Sequence, residues 1–371
     1  TMEQLNSVKV SRINFIDISK GIGILLVILG HAGNIYVESF VGLFHMSLFI
    51  FISGFLWNDT KYASNPKLLF YNRFKTLYIP YLKYELLFFI LRGVFLSIGW
   101  YNPSNITVPS TMTMWGKELL KIILCMGREE FLGAFWFLVM LLFINIEFSC
   151  ISWFSRKICT NYLELYRGLL VVGTFLTGTL MAKYFPIPRF TPSLLGMIFF
   201  YLGWLAQRYQ VFSIFYARFL EQKKYKFGIY LCLLTAFLSL LIFWKYGTIS
   251  TPASLITDPP FYLINGLAGI FIVLTVSLLC QRTPWNHFLS FLGANTIELL
   301  AFHEIGFKPV SFLLHYLLFP TVLIDTQGVP VGIQNGFYFV AYFIGSLIFC
   351  LLVLFIKGRI MKGFRLIIRP K

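Results

Sequence analysis

Arg12 to His31 reads RINFIDISKGIGILLVILGH, with charge at the start, an apolar helical run in the middle and one imidazole at the far end. Lys20 and His31 are eleven positions apart. At 1.5 Å and 100° per residue, a helix places them ~16 Å apart along its axis and only ~20° apart around it. One face of one buried helix is therefore expected to carry a cation near one membrane surface and a histidine toward the other. That layout suits an elongated anionic molecule, its charged end at Lys20 and its reactive end at His31.

The rest of the chain supplies the membrane. Of 371 residues, 58% are hydrophobic, 19% aromatic and only 12% charged, and repeated apolar runs are long enough to cross a bilayer. The expected class is all-α, a polytopic membrane bundle. A net charge of +16 would suit nucleic acid, but the basic residues lie in short loops between apolar runs. That distribution follows the positive-inside rule, so no nucleic-acid partner is expected. The six cysteines are scattered without Cys-x-x-Cys spacing and imply neither disulfides nor metal.

About ten spans are expected, near 15–36, 41–57, 77–99, 134–154, 168–184, 192–209, 227–245, 261–281, 288–306 and 335–356. A turn is expected around Glu38 to Val41, an amphipathic interfacial piece near 115–126, and a broken segment from Lys308-Pro309 to about 319. An even number of spans leaves both ends on one side, and the excess of Lys and Arg on the N-terminal side assigns both termini to the cytoplasm. Lys9 and Arg12 before an apolar run resemble a signal peptide, but the first span is expected to stay uncleaved. Without an internal repeat or a soluble domain, residues 1–371 are expected to form one integral-membrane domain.

Ionisable groups inside a membrane are functional candidates, and imidazole exchanges protons near neutral pH. His31 is the candidate catalytic group; the alternative is that it caps the first helix or hydrogen-bonds Asn34. His45, at the start of the second span, is a weaker candidate with an equally good structural role. Asp17 and Lys20, three apart, suit a simple ion pair. Arg73 and Lys75 meet the membrane on the side of Lys20, and cations at one depth bind phosphates.

These residues also resemble a family. Arg12 through Asp17, Lys20-Gly21 and Gly30-His31 look like the signature of the membrane-bound acyltransferase-3 family, in which Arg or Lys precedes a first-helix His by ten intervening residues. Phe49 to Phe55 (FIFISGF) resembles its second-helix element, Arg73 to Pro80 its basic loop, Trp136-Phe137-Leu138 its WFL element, and Leu292-Gly293 to His303 its late helix. KGIGILLVILGH with FHMSLF is most similar to the branch named for fucose 4-O-acetylase.

The resemblance implies an O-acetyltransferase of the bacterial cytoplasmic membrane. Acetyl-CoA would be the donor, and a glycan or lipid-linked sugar hydroxyl the acceptor. The phosphates would lie near Lys20, Arg73, Lys75 and Arg12, and His31 would act as general base or transient acyl carrier. Asp17, Asn34, His45, Trp136, His303 and Glu304 are supporting candidates, and Ser53 reads better as a packing position than as a nucleophile. No metal is expected. Acceptor contacts are expected from loops 100–133, 246–260 and 320–335, with Glu130 and Asn335 among the polar candidates. No esterase domain is expected beyond Lys371, so the bundle or a partner would complete the transfer. The rival reading is an exporter or flippase of a surface polysaccharide, which would show broken helices and paired halves.

Overall fold

A computed structural model describes residues 2–63, 66–127, 129–158, 162–215, 222, 225–246, 249–250, 255–256, 258–317 and 337–368, with side chains left out at 2–14, 63, 66, 249–250, 255–256, 315 and 361–368. In lipid every backbone N–H and C=O needs an internal partner, and apolar runs of this length meet that need as helices. In order they are α1 (Met2–Gly30), α2 (Ile35–Gly42), α3 (His45–Phe55), α4 (Asp59–Ala63) and α5 (Pro66–Arg73), then a π-helical turn (Phe74–Tyr78) and α6 (Ile79–Ser97). Next come α7 (Met112–Ile123), a 3-10 turn (Glu130–Phe135), α8 (Trp136–Ile158), α9 (Leu163–Tyr184), α10 (Phe190–Arg208), α11 (Val211–Phe215) and α12 (Lys226–Ile242). The chain continues through α13 (Pro259–Cys280), α14 (Asn286–Ala294), α15 (Thr296–Leu317) and α16 (Tyr338–Ile368). Two antiparallel two-residue strands, β1 (Ile249–Ser250) and β2 (Leu255–Ile256), precede α13.

Among the described residues, six helical stretches are long and apolar enough to cross a membrane: Ile35–Phe55, Glu130–Ile158, Leu163–Tyr184, Phe190–Arg208, Pro259–Cys280 and Tyr338–Ile360. Several boundaries differ from the sequence expectation. The turn expected around Glu38 is helical, as α2, and the chain bends instead at Leu43-Phe44. The expected 288–306 span is divided at Asn295 into α14 and α15. The break expected at Lys308-Pro309 is absent, because α15 continues through Pro309 to Leu317. Proline removes one N–H and crowds the preceding turn, but a membrane helix tolerates that loss where neighbouring groups serve the freed carbonyl.

The chain forms two compact units. One comprises residues 1–23, 39–82 and 135–294; the other comprises 24–38, 83–134 and 295–371. The first is built on close backbone approaches. A Cβ at Gly54 of α3 would lie 1.9 Å from the Phe200 carbonyl oxygen of α10, and one at Gly203 of α10 would lie 2.0 Å from that of Phe51. α1 and α14 meet in the same reciprocal way, Gly21 against the Leu289 oxygen (2.0 Å) and Gly293 against the Asp17 oxygen (1.8 Å). Small residues at such crossings let backbones touch, which is how helices gain packing energy where lipid offers no hydrophobic drive.

An ion-pair lock completes this unit. Arg167 of α9, fully buried, donates from both terminal nitrogens to Asp59 of α4 at 3.0 and 3.2 Å. Arg156 of α8 adds a contact at 3.1 Å, and Trp57 Nε1 donates to the same carboxylate at 3.2 Å. The Arg167 guanidinium also lies 4.7 Å from the Trp204 ring centroid. Burial alone would raise the Asp59 carboxyl, but the hydrogen bonds and charge of Arg167, with Trp57 and Arg156 behind it, hold it below its ordinary value.

Three outcomes follow for purified protein in detergent, each read as thermal unfolding. Gly203→Ala is expected to destabilise by about 1–3 kcal/mol or more through overpacking. Gly173→Ala, on an exposed face of α9 with open space around it, is expected to be neutral or stabilising. Because the Asp59 carboxyl is depressed in the fold, its contribution is present above the unfolded carboxyl value of about 3.9 and is lost as pH falls through the lower folded value. Asp59→Asn should therefore lower the melting temperature at pH 7 and abolish the part of the acid loss that the parent shows below about pH 4.

Candidate functional site

In the second unit, His31 is the first residue after α1. Its backbone N–H donates to the Val27 carbonyl at 3.1 Å, and its ring Nδ1 lies 2.9 Å from the same oxygen. A carbonyl only accepts, so Nδ1 carries the proton and Nε2 keeps its lone pair. The exit then turns at Gly33, whose φ of 87° is open to glycine. Asn34, buried, caps α2: its Oδ1 accepts from the N–H groups of Tyr36 and Val37 at 3.0 and 3.2 Å. The alternative role for His31 is therefore half correct, since it folds back on its own helix end while Asn34 serves the next helix.

Two adjacent residues of α15 meet this imidazole. His303 is fully buried, its Nδ1 lies 2.9 Å from the Leu300 carbonyl, and its Nε2 is buried with no hydrogen-bond partner among the described residues. The His31 and His303 ring centroids are 5.2 Å apart at 65°. One ligand atom each from His31, His303 and Glu304 lie within 4.8 Å of one another, and His303 Nε2 is 4.0 Å from Glu304 Oε1. The Glu304 carboxylate accepts from the backbone N–H groups of Ala134 and Gly133. A Cβ at Gly133 would stand 3.2 Å from Oε1, so a glycine gives the carboxylate its seat. α16 braces the other side, with Ser346 Oγ donating to the His303 carbonyl at 2.7 Å and Tyr342 hydrogen-bonded to Ser311 at 3.2 Å.

A second buried polar network fixes the 98–135 segment that carries Gly133. Arg92 of α6 donates to Glu129 Oε1 from Nε (3.1 Å) and from a terminal nitrogen (2.5 Å). It also donates to the Thr107 carbonyl at 3.1 Å and to Glu118 of α7 at 3.3 Å. Burial pushes the Glu129 carboxyl up despite Arg92, and burial beside Glu129 pushes the Tyr101 hydroxyl up as well. Glu130 Oε2 accepts from the Asn102 N–H at 3.0 Å while its Oε1 is buried and unpartnered. Lys308 of α15 is buried, its ammonium 5.6 Å from the Phe131 ring centroid. Arg92 and Lys308 carry a signal in the sequence, a charge inside an apolar run, whereas Glu129, in the Arg128-Glu129-Glu130 loop, carries none.

The remaining candidates belong to the first unit. Lys20 pairs with Asp17 at 2.7 Å, as a helical i,i+3 pair. The Arg73 guanidinium lies 5.7 Å from the Tyr62 ring, and Lys75 is exposed on the π-helical turn. No hydrogen bond or ion pair among the described residues joins these cations into one cluster. The side chain of Arg12 and the whole 320–335 loop, Asn335 included, lie outside the described residues. His45 opens α3 with Nδ1 2.8 Å from the Val41 carbonyl. Ser53 Oγ accepts from Asn145 Nδ2 at 3.4 Å, which fits packing, and Trp136 is half-buried at the start of α8.

A family model described as an acyltransferase domain matches residues 13–355. No curated relative matches the chain. No solved structure matches it either.

Arg92→Ala leaves the Glu129 carboxylate buried without its cation, an arrangement that costs about 3–5 kcal/mol. The double variant Arg92→Met with Glu129→Leu, which removes both charges, should recover most of that loss in the same melting measurement.

Proposed function

The chain belongs to the acyltransferase-3 family, and on that premise we propose that it is an O-acetyltransferase that moves acetyl from acetyl-CoA to a sugar hydroxyl of a surface glycan or its lipid-linked precursor. Acyltransferase activity and a multi-pass membrane setting follow from the family and the six apolar helices. The donor, the acceptor and the residue roles are our reading. The observation that carries it is the His31–His303–Glu304 constellation, in which two imidazoles held by helix carbonyls and one carboxylate converge.

His31 Nε2 takes the proton of the acceptor hydroxyl as its oxygen attacks the thioester carbonyl. The C–S bond breaks, and the departing thiolate recovers the proton from the imidazolium, so acetyl ester and free thiol balance the step. The carbonyl of Val27 stabilises the imidazolium in between, at a helix C-terminus where positive charge is favoured. Transient acylation of the same nitrogen is an equivalent route. Lys20, Arg73, Lys75 and Arg12 take the donor phosphates. Support for Lys20 comes from its eleven-residue interval to His31 along α1 and its exit, with Asp17 as the partner that phosphate displaces.

We place the protein in the bacterial cytoplasmic membrane with both termini inside. Adding α1, α6, α12 and α15 to the six apolar stretches gives the ten spans expected. α6 carries the buried Glu85 and Arg92 and α15 the buried Lys308, charges that lower their hydropathy. The fucose 4-O-acetylase branch rests on KGIGILLVILGH and FHMSLF.

Purified protein with acetyl-CoA and a sugar acceptor tests this reading. His31→Ala should lower thioester turnover by about 10²–10⁴ while melting like the parent. Lys20→Ala should raise the KM for acetyl-CoA about tenfold with kcat less affected. If both variants turn over like the parent, the mechanism is wrong; sugar movement in vesicles without thioester loss would identify an exporter instead.

A further inference from the structure

We propose that His31, His303 and Glu304 form a three-ligand site for a zinc-class divalent cation, and that the cation and the base role of His31 exclude one another. The second half rests on the functional reading above; the first stands on geometry.

Three observations carry the site. The donor set, two imidazoles and a carboxylate, is one that zinc uses when it keeps an open position. Both imidazoles spend Nδ1–H on a backbone carbonyl, at 2.9 Å in each case. This outer-shell contact is what metal-ligating histidines make, because it turns Nε2 into an oriented lone pair. The fully buried His303 Nε2 has no hydrogen-bond partner among the described residues, a cost that a bound ligand would remove. His45 makes the same Nδ1 contact with Val41 but belongs to no such cluster among the described residues, so the tether alone does not define the site.

Distances fit with a small closure. Zinc–ligand bonds of about 2.0–2.2 Å put tetrahedral ligands roughly 3.4 Å apart. His303 Nε2 and Glu304 Oε1 are 4.0 Å apart, and all three ligand atoms lie within 4.8 Å. A movement of about 1 Å closes the set around an ion. His31, exposed at its helix exit, has room to make it, while His303 is fixed by Leu300 and Ser346. Binding uses the Nε2 lone pair of His31 that acyl transfer needs for the acceptor proton. An imidazole bound to the ion therefore accepts no proton, and an imidazolium binds no ion.

The full-length protein in detergent, stripped with a chelator, is dialysed against Zn²⁺ and analysed for bound metal; Co²⁺ serves as an absorbance probe of coordination. One ion per chain and a four-coordinate Co²⁺ spectrum are expected. His303→Ala and Glu304→Gln should each weaken binding by at least the about 10–100-fold that loss of an outer-shell partner costs, and His45→Ala should not. Absence of stoichiometric binding, or equal affinity in His303→Ala, overturns the site. Zn²⁺ should also inhibit acyl transfer at site-saturating concentration, and binding without inhibition overturns the exclusion. Should the protein transfer no acyl group at all, the dialysis and the Co²⁺ spectrum still decide the cation site by themselves.

Discussion

A polar group inside lipid has no water to turn to, and in this protein the helix carbonyl is its usual partner. Ser19 bonds to Phe15, Ser155 to Ile151, Ser277 to Val273, and each oxygen lies one turn back along its own helix. His31, His45 and His303 obey the same constraint, with Nδ1 committed to Val27, Val41 and Leu300 respectively. What is bookkeeping for a serine becomes chemistry for an imidazole. Tying one ring nitrogen to a carbonyl decides which face of the ring is basic and where it points. The candidate site is thus the ordinary membrane solution applied to a side chain with a second nitrogen left over.

The two compact units use polar pairs differently. In the first, Asp59, Arg167 and Arg156 knit a loop to the starts and ends of apolar helices, and Trp204 covers the guanidinium. In the second, Arg92 and Glu129 hold the segment whose Gly133 and Ala134 amides receive Glu304. A carboxylate seated on backbone amides keeps its place without a cation of its own, which leaves its other lone pairs available to a ligand.

The sequence showed the helical class well, because hydropathy is a local property, but the first span was expected to run over 15–36 and α1 ends at Gly30, which leaves His31 exposed just beyond it. It showed individual glycines of the resemblance, Gly21, Gly54 and Gly293, without their purpose; only the fold reveals that each meets a carbonyl of a distant helix. The meeting of His31 with His303 and Glu304 was not legible, since the residues come from opposite ends of the chain. Helix ends were the weakest reading. α15 outruns Pro309, and the interruption falls instead at Asn295, two residues after Gly293. Charges inside α6 and α15 were legible as residues, but what they hold in place is a tertiary fact.

The reciprocal glycine contact between α1 and α14 has a consequence for how the protein is made. α1 is synthesised well before α14, so it can meet the bilayer before that partner is translated. During that interval nothing from α14 shields Asp17 and Lys20. Their i,i+3 pairing at 2.7 Å lets each neutralise the other from within one helix. A pair that contributes little to the finished fold would in that interval spare α1 two unpaired charges. Its loss would register as failed insertion rather than as lower stability.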